Sequence, residues 1–416
     1  MTAPDTHQAI DAIWRIEQAK IIAGLARIVR DVGIAEELAQ DALVAALKVW
    51  PAQGIPDRPG AWLMATAKNR ALDTRRRAKL IERKHAELGR EMEGHETPDL
   101  DAALDDDIGD DLLRLIFTAC HPVLSAEARV ALTLRLIGGL TTEEIARAFL
   151  SAEPTIAQRI VRAKRTLTEA RVPFELPRGE ARVERLASVL EVIYLIFNEG
   201  YAATAGEDWV RPALCEEALR VGRILAELAS EEGEVHGLVA LMEIQASRLK
   251  ARVGPRGEPI LLLDQNRTRW DHLLIRRGLA ALARAEAQGP LGPYALQAAI
   301  AACHARARVA DETDWARIVA LYQELAAQVP SPVIELNLAV AVAMAEGPQA
   351  GLVRVDALAD EPSLKSYHLL PSVRGDLLKK LGRLEEARAE FERAAGLTQN
   401  ARERALLLER AAQATN

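Results

Sequence analysis

The chain has 416 residues, 49% of them hydrophobic, only 4% aromatic, with a formal net charge of −7. That length exceeds one ordinary core and predicts two or three domains. The acidic balance excludes a protein that holds nucleic acid by bulk positive charge, so any such binding must come from local basic patches. Ala, Leu, Arg and Glu dominate and β-branched runs are scarce, which predicts an all-α fold. Cys120, Cys215 and Cys303 are odd in number and far apart. They predict neither a disulfide framework nor a zinc site, and they fit a reducing, cytoplasmic setting. The first 30 residues carry no signal-peptide pattern, and no apolar run is long enough for a membrane span.

Helical periodicity begins at residues 17–31. A second helix is predicted over 35–50, with Ala39, Leu43, Leu47 and Trp50 on one face and Glu37, Gln40, Asp41 and Lys48 on the other. Three prolines and two glycines between Pro51 and Gly60 predict a loop. A third helix is expected from Ala61 to Arg83. Its basic residues include Lys68, Arg70, Arg75, Arg76 and Arg77, opposed by Asp73 and Glu82, with Trp62 and Asn69 beside them. Cations for a backbone, with planar and amide groups for bases, suit single-stranded DNA. The same residues also fit a solvated basic helix, with Trp62 in a core.

Acids crowd the chain from Glu87 to Asp111, with Gly89, Gly94 and Pro98 among them. This composition predicts a linker over 87–110, since like charges four apart oppose a helix.

A helix-turn-helix is predicted over 140–168. Thr141 or Thr142 caps a helix whose first turn carries Glu143 and Glu144, and Ile145, Ala146 and Phe149 face inward. Ser151 to Pro154 make the turn. The second helix buries Ile156, Ile160, Ala163 and Leu167, and shows Thr155, Gln158, Arg159, Arg162 and Arg165 outward. One stripe for packing and an opposite stripe of long polar side chains is what a major-groove reader requires. An ordinary helix pair with a solvated basic face has the same pattern.

Beyond Pro173, Pro177 and Gly179 the chain reads as helical from about 181 to 413, with turns near 204–208, 253–259, 288–293, 329–332 and 360–363. Residues 333–359 and 364–396 each read as two short helices, broken at Gly347-Pro348 and at Gly382. Ala387, Phe391 and Ala394 share a stripe, a pattern similar to tetratricopeptide repeats. Tyr194, Phe197, Asn198 and Tyr201 form a cluster that fits either a docking patch or the core of this region. No phosphate loop, zinc-protease pair or nucleophile elbow occurs, so neither an enzyme nor a cofactor or metal is expected.

Two basic helical units separated by an acidic tether resemble a known family. DVGIAEELAQDALVAALKVW followed by AWLMATAKNRALDTRRR resembles region 2 of the extracytoplasmic-function group of bacterial sigma factors. ALTLRLIGGLTTEEIARAFLSAEPTIAQRIVRAKRTL resembles their region 4. FTACHPVLS and YLIFNEGY resemble the subgroup with a C-terminal tetratricopeptide-like extension.

The resemblance implies a sigma region 2 over 1–86, the acidic linker over 87–110, region 4 over 111–175 and a helical extension over 176–416. It implies core RNA polymerase and promoter DNA as partners; the helical tail is itself expected to pack against the sigma regions and tune their activity. Glu37, Gln40, Asp41, Val44 and Lys48 match the polymerase-binding surface. Trp62, Lys68, Asn69, Asp73, Arg75 and Arg76 match the reader of the −10 element. Thr155, Gln158, Arg159, Arg162 and Arg165 match the reader of the −35 element. Ala157 stands where the family often has a basic or polar residue, and Pro154 where many members have glycine. A helix-turn-helix regulator that never docks on polymerase is the alternative.

Overall fold

A computed structural model describes residues 3–71 and 108–414. The described chain is helical almost throughout and forms two compact units, one ending at Val192 and the other beginning at Ile193.

In the first unit, α1 (Ala3–Val29) packs along α2 (Val32–Gln53). α1 starts well before the expected residue 17. α2 starts at Val32 because the Asp31 side chain accepts a hydrogen bond from the Ile34 amide, satisfying one of the free donors of the first turn. It also runs through Pro51, into the expected loop, and ends where Gly54 takes φ 86°. Residues 59–71 form α3, so helix returns slightly earlier than expected. The rest of the predicted third helix and nearly all of the acidic linker lie outside the described residues.

α4 (Ile108–Ala119) absorbs the last expected linker residues. Asp110 and Asp111 sit in its first turn, where acids complement the helix dipole. Asp111 is buried and receives Arg27 of α1 at 2.9 Å and Arg114 at 2.6 Å. α5 (Ala126–Leu136), α6 (Thr142–Ala148) and α7 (Glu153–Glu169) follow. Thr141 and Glu144 form a reciprocal capping box at the start of α6. Pro154 lies in the first turn of α7, where its missing amide removes no helical bond.

The N-terminal half of α8 (Glu180–Tyr201) closes the unit. Arg185 donates to the Phe117 carbonyl at 2.8 Å, Ser188 to the Cys120 carbonyl at 2.6 Å, and Arg129 pairs with Glu191 at 2.9 Å. These bonds place the compact division after Val192, inside α8, whereas proline and glycine punctuation suggests one near 176.

The second unit is built on α10 (Gly233–Ala246), which is buried on nearly every side and is flanked by α9 (Pro212–Leu228), α11 (His272–Ala287) and α12 (Pro293–Arg306). Gly237 allows α12 to approach, since a Cβ there would lie 2.6 Å from the Ala295 amide nitrogen. Successive helices then pack on their neighbours: α13 (Trp315–Gln328), α14 (Pro332–Glu346), α15 (Pro348–Asp356), α16 (Leu369–Lys380), α17 (Leu384–Leu397) and α18 (Ala401–Gln413). The breaks at Gly347 and Gly382 fall as expected, and Ala387, Phe391 and Ala394 are buried together. Of the cluster around Phe197 the aromatic members are core: Phe197 is fully buried and stacks on Tyr201, and Tyr194 packs on Tyr294, while Asn198 is exposed.

Two features of this unit were not expected. The non-α-helical stretch near 253–259 is longer, running from Ser247 to Asp271 with short 3-10 turns. Ala205–Gly206 and Gln399–Asn400 pair as two short parallel strands, tying the start of the unit to its end. Asn400 reinforces the tie by donating to the Ala203 and Asp208 carbonyls at 3.1 and 2.9 Å.

His304 of α12 is buried, with Trp315 edge-on at 5.2 Å. Burial, helped by the positive charges of Arg248 and Arg267, lowers its pKa from 6.5 to about 4. The folded state therefore holds the ring neutral. This contribution to stability is intact above about pH 6.5 and is lost as pH falls from there towards 4. The wild-type second unit should lose about 3 kcal/mol across that window in excess of a His304→Gln variant. Urea titrations at pH 7.5 and 4.5, followed by hydrogen exchange of the α12 amides, measure the difference. Parallel losses in the two proteins would refute it.

Candidate nucleic-acid interface

α6 and α7 form a helix-turn-helix whose inner stripe is as expected. Ile145 and Ala146 of α6, and Ile156, Ile160, Ala163 and Leu167 of α7, are buried. The 3.6-residue period then forces Thr155, Gln158, Arg162 and Arg165 outward, where all four are exposed, with Arg159 half-exposed beside them. Among the described residues neither Arg159 nor Arg162 is taken up in an ion pair, while Arg165 is held by Glu169 at 2.6 Å. A groove of about 360 Å³ runs beside this face, lined by Thr155, Gln158, Arg159 and Arg162 of α7 and by Ser125 and Ala128 of α5. The first turn of α5 beside it is capped by Ser125, whose hydroxyl accepts from the Ala128 amide at 3.4 Å. Guanidinium forks such as those of Arg159 and Arg162 match phosphate oxygens in geometry and charge.

The face of α2 is also divided. Glu37, Asp41, Val44 and Lys48 are exposed, and Val44 is a large apolar side chain left open to solvent. Gln40 is half-buried and donates to Glu36 at 2.7 Å, and Asp41 pairs with Arg70 of α3 at 3.1 Å. The buried stripe is Ala35, Leu38, Ala39, Ala42, Ala46 and Trp50. Leu43 and Leu47, expected inside, are only half-buried, so the true stripe is rotated by about one residue.

Trp62 is half-buried and packs edge-on against Trp50 at 5.3 Å, so one of its faces is used in packing. Lys68 is half-buried and Asn69 is exposed on α3. Asp73, Arg75 and Arg76 lie outside the described residues.

One important residue was missed. Glu36 is a buried carboxylate on the inner side of α2. It accepts from Arg135 of α5 at 2.7 Å and pairs with Lys164 of α7. Nearby, the Thr168 hydroxyl of α7 donates to Asp31 at 2.7 Å, and Arg15 of α1 pairs with Glu144 of α6 at 2.8 Å. α7 is thus fastened to α2 through polar contacts, with its cationic face directed elsewhere. The available signal was an acid at the i+4 position from Val32 and three before Ala39, on the stripe that must be buried.

Nothing in the site suggests covalent or metal chemistry. No group of metal ligands occurs among the described residues. All three cysteines are buried, and burial pushes the Cys120 thiol up to about 11 and that of Cys215 to about 12. No helix among the described residues is long and apolar enough to cross a membrane.

An open, basic helix-turn-helix face, in one unit with an exposed polar stripe on α2, is the arrangement of a DNA-binding protein. Comparison with known proteins gives that class its family. Residues 14–81 match sigma-70 region 2, residues 114–167 match sigma-70 region 4, and residues 185–286 match a family of unknown function, DUF6596. The chain belongs to the sigma-70 family of transcription initiation factors. It is 43% identical over 399 residues to an uncharacterised protein of Rhizobium meliloti (strain 1021), covering 96% of this chain and 94% of that one. It is 27% identical over 177 residues to a probable ECF RNA polymerase sigma factor, SigI, of Mycobacterium tuberculosis, covering 42% of this chain and 60% of that relative. No solved structure matches.

Proposed function

We propose that this sigma factor is of the extracytoplasmic-function type, acts in the cytoplasm, and carries a regulatory helical extension of tetratricopeptide-like repeats. Glu37, Gln40, Asp41, Val44 and Lys48 dock on core polymerase. Thr155, Gln158, Arg159, Arg162 and Arg165 read the −35 element. Trp62, Lys68 and Asn69, with Asp73, Arg75 and Arg76, read the −10 element. The extension contacts the sigma regions and sets their activity.

The observation that carries this reading is the division of α2. Its outer stripe is open with a solvent-facing valine, while its inner side is committed to α5 and α7 through Glu36. A regulator that binds DNA alone has no use for that open stripe. Support for a separate regulatory part comes from the second unit, which has its own core.

Run-off transcription with core polymerase tests the proposal. The truncation belongs after Val192, because a cut near 180 would remove Arg185 and Ser188 and loosen α4 and α5. Core-dependent transcripts are expected from the full chain. A Glu37→Lys, Asp41→Lys double variant should lower core binding about tenfold or more, equivalent to about 1.4 kcal/mol. The truncated chain should change transcript yield several-fold. Equal yields would remove the regulatory role of the extension, and unaltered core binding by the double variant would remove the docking assignment.

A further inference from the structure

The first unit holds a cleft of about 510 Å³ where the corner between α1 and α2 meets the end of α7 and the segment after it. That volume suits a small organic molecule. Arg30, at the end of α1, and Arg171, just past α7, both line it. Both are exposed, and among the described residues neither side chain makes an ion pair or a hydrogen bond. The acids around them are mostly committed. Asp31 receives the Ile34 amide at 2.9 Å and the Thr168 hydroxyl at 2.7 Å, and Arg27 is matched by Asp111 at 2.9 Å. Among the lining residues three arginines, Arg27, Arg30 and Arg171, face two acids, Asp31 and Glu175.

The two arginines share an unusual backbone. Arg30 has φ 55° and Arg171 has φ 50°, in the left-handed region that asparagine and glycine normally fill. Arginine at both positions is locally unfavourable, a cost that proteins tend to keep where a site requires the side chain. The lining also includes apolar Val32, Leu167 and Phe174.

We propose that this cleft binds a nucleoside phosphate. The guanidinium groups of Arg30 and Arg171 hold the phosphate, since paired N–H forks match its oxygens in geometry and charge. The base lies against Leu167 and Phe174, and Glu175 accepts from a ribose hydroxyl. An acid at the rim and apolar side chains in the lining favour this class over a bare anion. A concave cleft favours it over duplex DNA. The walls come from α1 and α2 on one side and from α7 on the other, so the ligand stabilises the arrangement fastened by Glu36 and Asp31. Binding stands independently of the proposed function, and only its effect on transcription rests on that reading.

Calorimetric titration of the full chain, without polymerase, with GDP, ADP and inorganic pyrophosphate tests the site. At least one nucleotide should bind with one-to-one stoichiometry, at least tenfold more tightly than pyrophosphate. Arg30→Asn and Arg171→Gly should each weaken it at least tenfold. Both substitutions suit a left-handed backbone, so the thermal midpoint should be unchanged or higher. Absence of nucleotide binding at about 1 mM, the weak end of specific affinity, would overturn the proposal. So would variants that bind as the wild type does, or pyrophosphate binding as tight as the nucleotide. Variants that lose promoter-duplex affinity but retain nucleotide binding would assign the arginines to DNA and also overturn it. Failure of the transcription assay with nucleotide binding intact would leave the site standing and remove only its regulatory meaning.

Discussion

Replacing Arg159 and Arg162 together with alanine is expected to weaken promoter-duplex binding by about 100-fold or more. Each guanidinium that meets a phosphate or a guanine edge is worth roughly 1–3 kcal/mol. These two lie on the α7 groove, and among the described residues neither makes an ion pair. Arg165 is already engaged by Glu169, and its replacement should cost less. The salt dependence separates the possible roles. If both arginines meet phosphates, the slope of log affinity against log salt should fall by about two. Gln158→Ala should leave that slope unchanged and alter preference between promoter sequences. Because the side chains are solvent-facing, the unfolding midpoint of the double variant should match the wild type. Unchanged affinity and slope at several salt concentrations would exclude α7 as the DNA-contacting helix.

The second large effect belongs to Glu36. Replacing it with alanine removes the acceptor shared by Arg135, Lys164 and Gln40. Breaking a buried pair from one side costs about 3–5 kcal/mol, because the surviving charges stay partly desolvated. The lower end applies here, since about a fifth to a quarter of each cationic side chain still reaches water. Lys164→Met should cost much less, because Glu36 keeps Arg135 and the methionine refills the space. Urea unfolding of the first unit gives both numbers, and core-polymerase affinity gives the consequence. A Glu36→Ala protein as stable as the wild type would show that the pair contributes nothing to the closed arrangement.

Much of the helix-turn-helix was legible from sequence because its information is local. The capping box at Thr141 and Glu144, the proline at the start of α7 and the four-residue apolar stripe are each set within one or two turns. The outward residues Gln158, Arg159 and Arg162 follow from that stripe by geometry alone. α2 was harder. Its alanine-rich stripe is small, and Leu43 and Leu47 drew the expected face about one residue aside. Glu36 was invisible for a related reason: its partners Arg135 and Lys164 lie far along the chain, and no local pattern announces them. The breaks around Ala229–Glu232 and Ala307–Asp314 also escaped notice, since neither stretch is rich in glycine or proline. The strand pair at Ala205 and Gln399 involves two residues on each side, too few for any alternating pattern.

That strand pair has a consequence for synthesis. The second unit joins its first turn to its last helix, so its closure waits for Gln399 and Asn400 to emerge. The first unit ends at Val192, about 200 residues earlier. At about 5–20 residues per second, the DNA-reading half is free to fold roughly 10–40 seconds before the other half can close its ring. During that interval the nascent chain presents a finished promoter reader beside an unfinished extension. A ribosome that stalls late in the message therefore leaves a folded first unit attached to a second that cannot yet close.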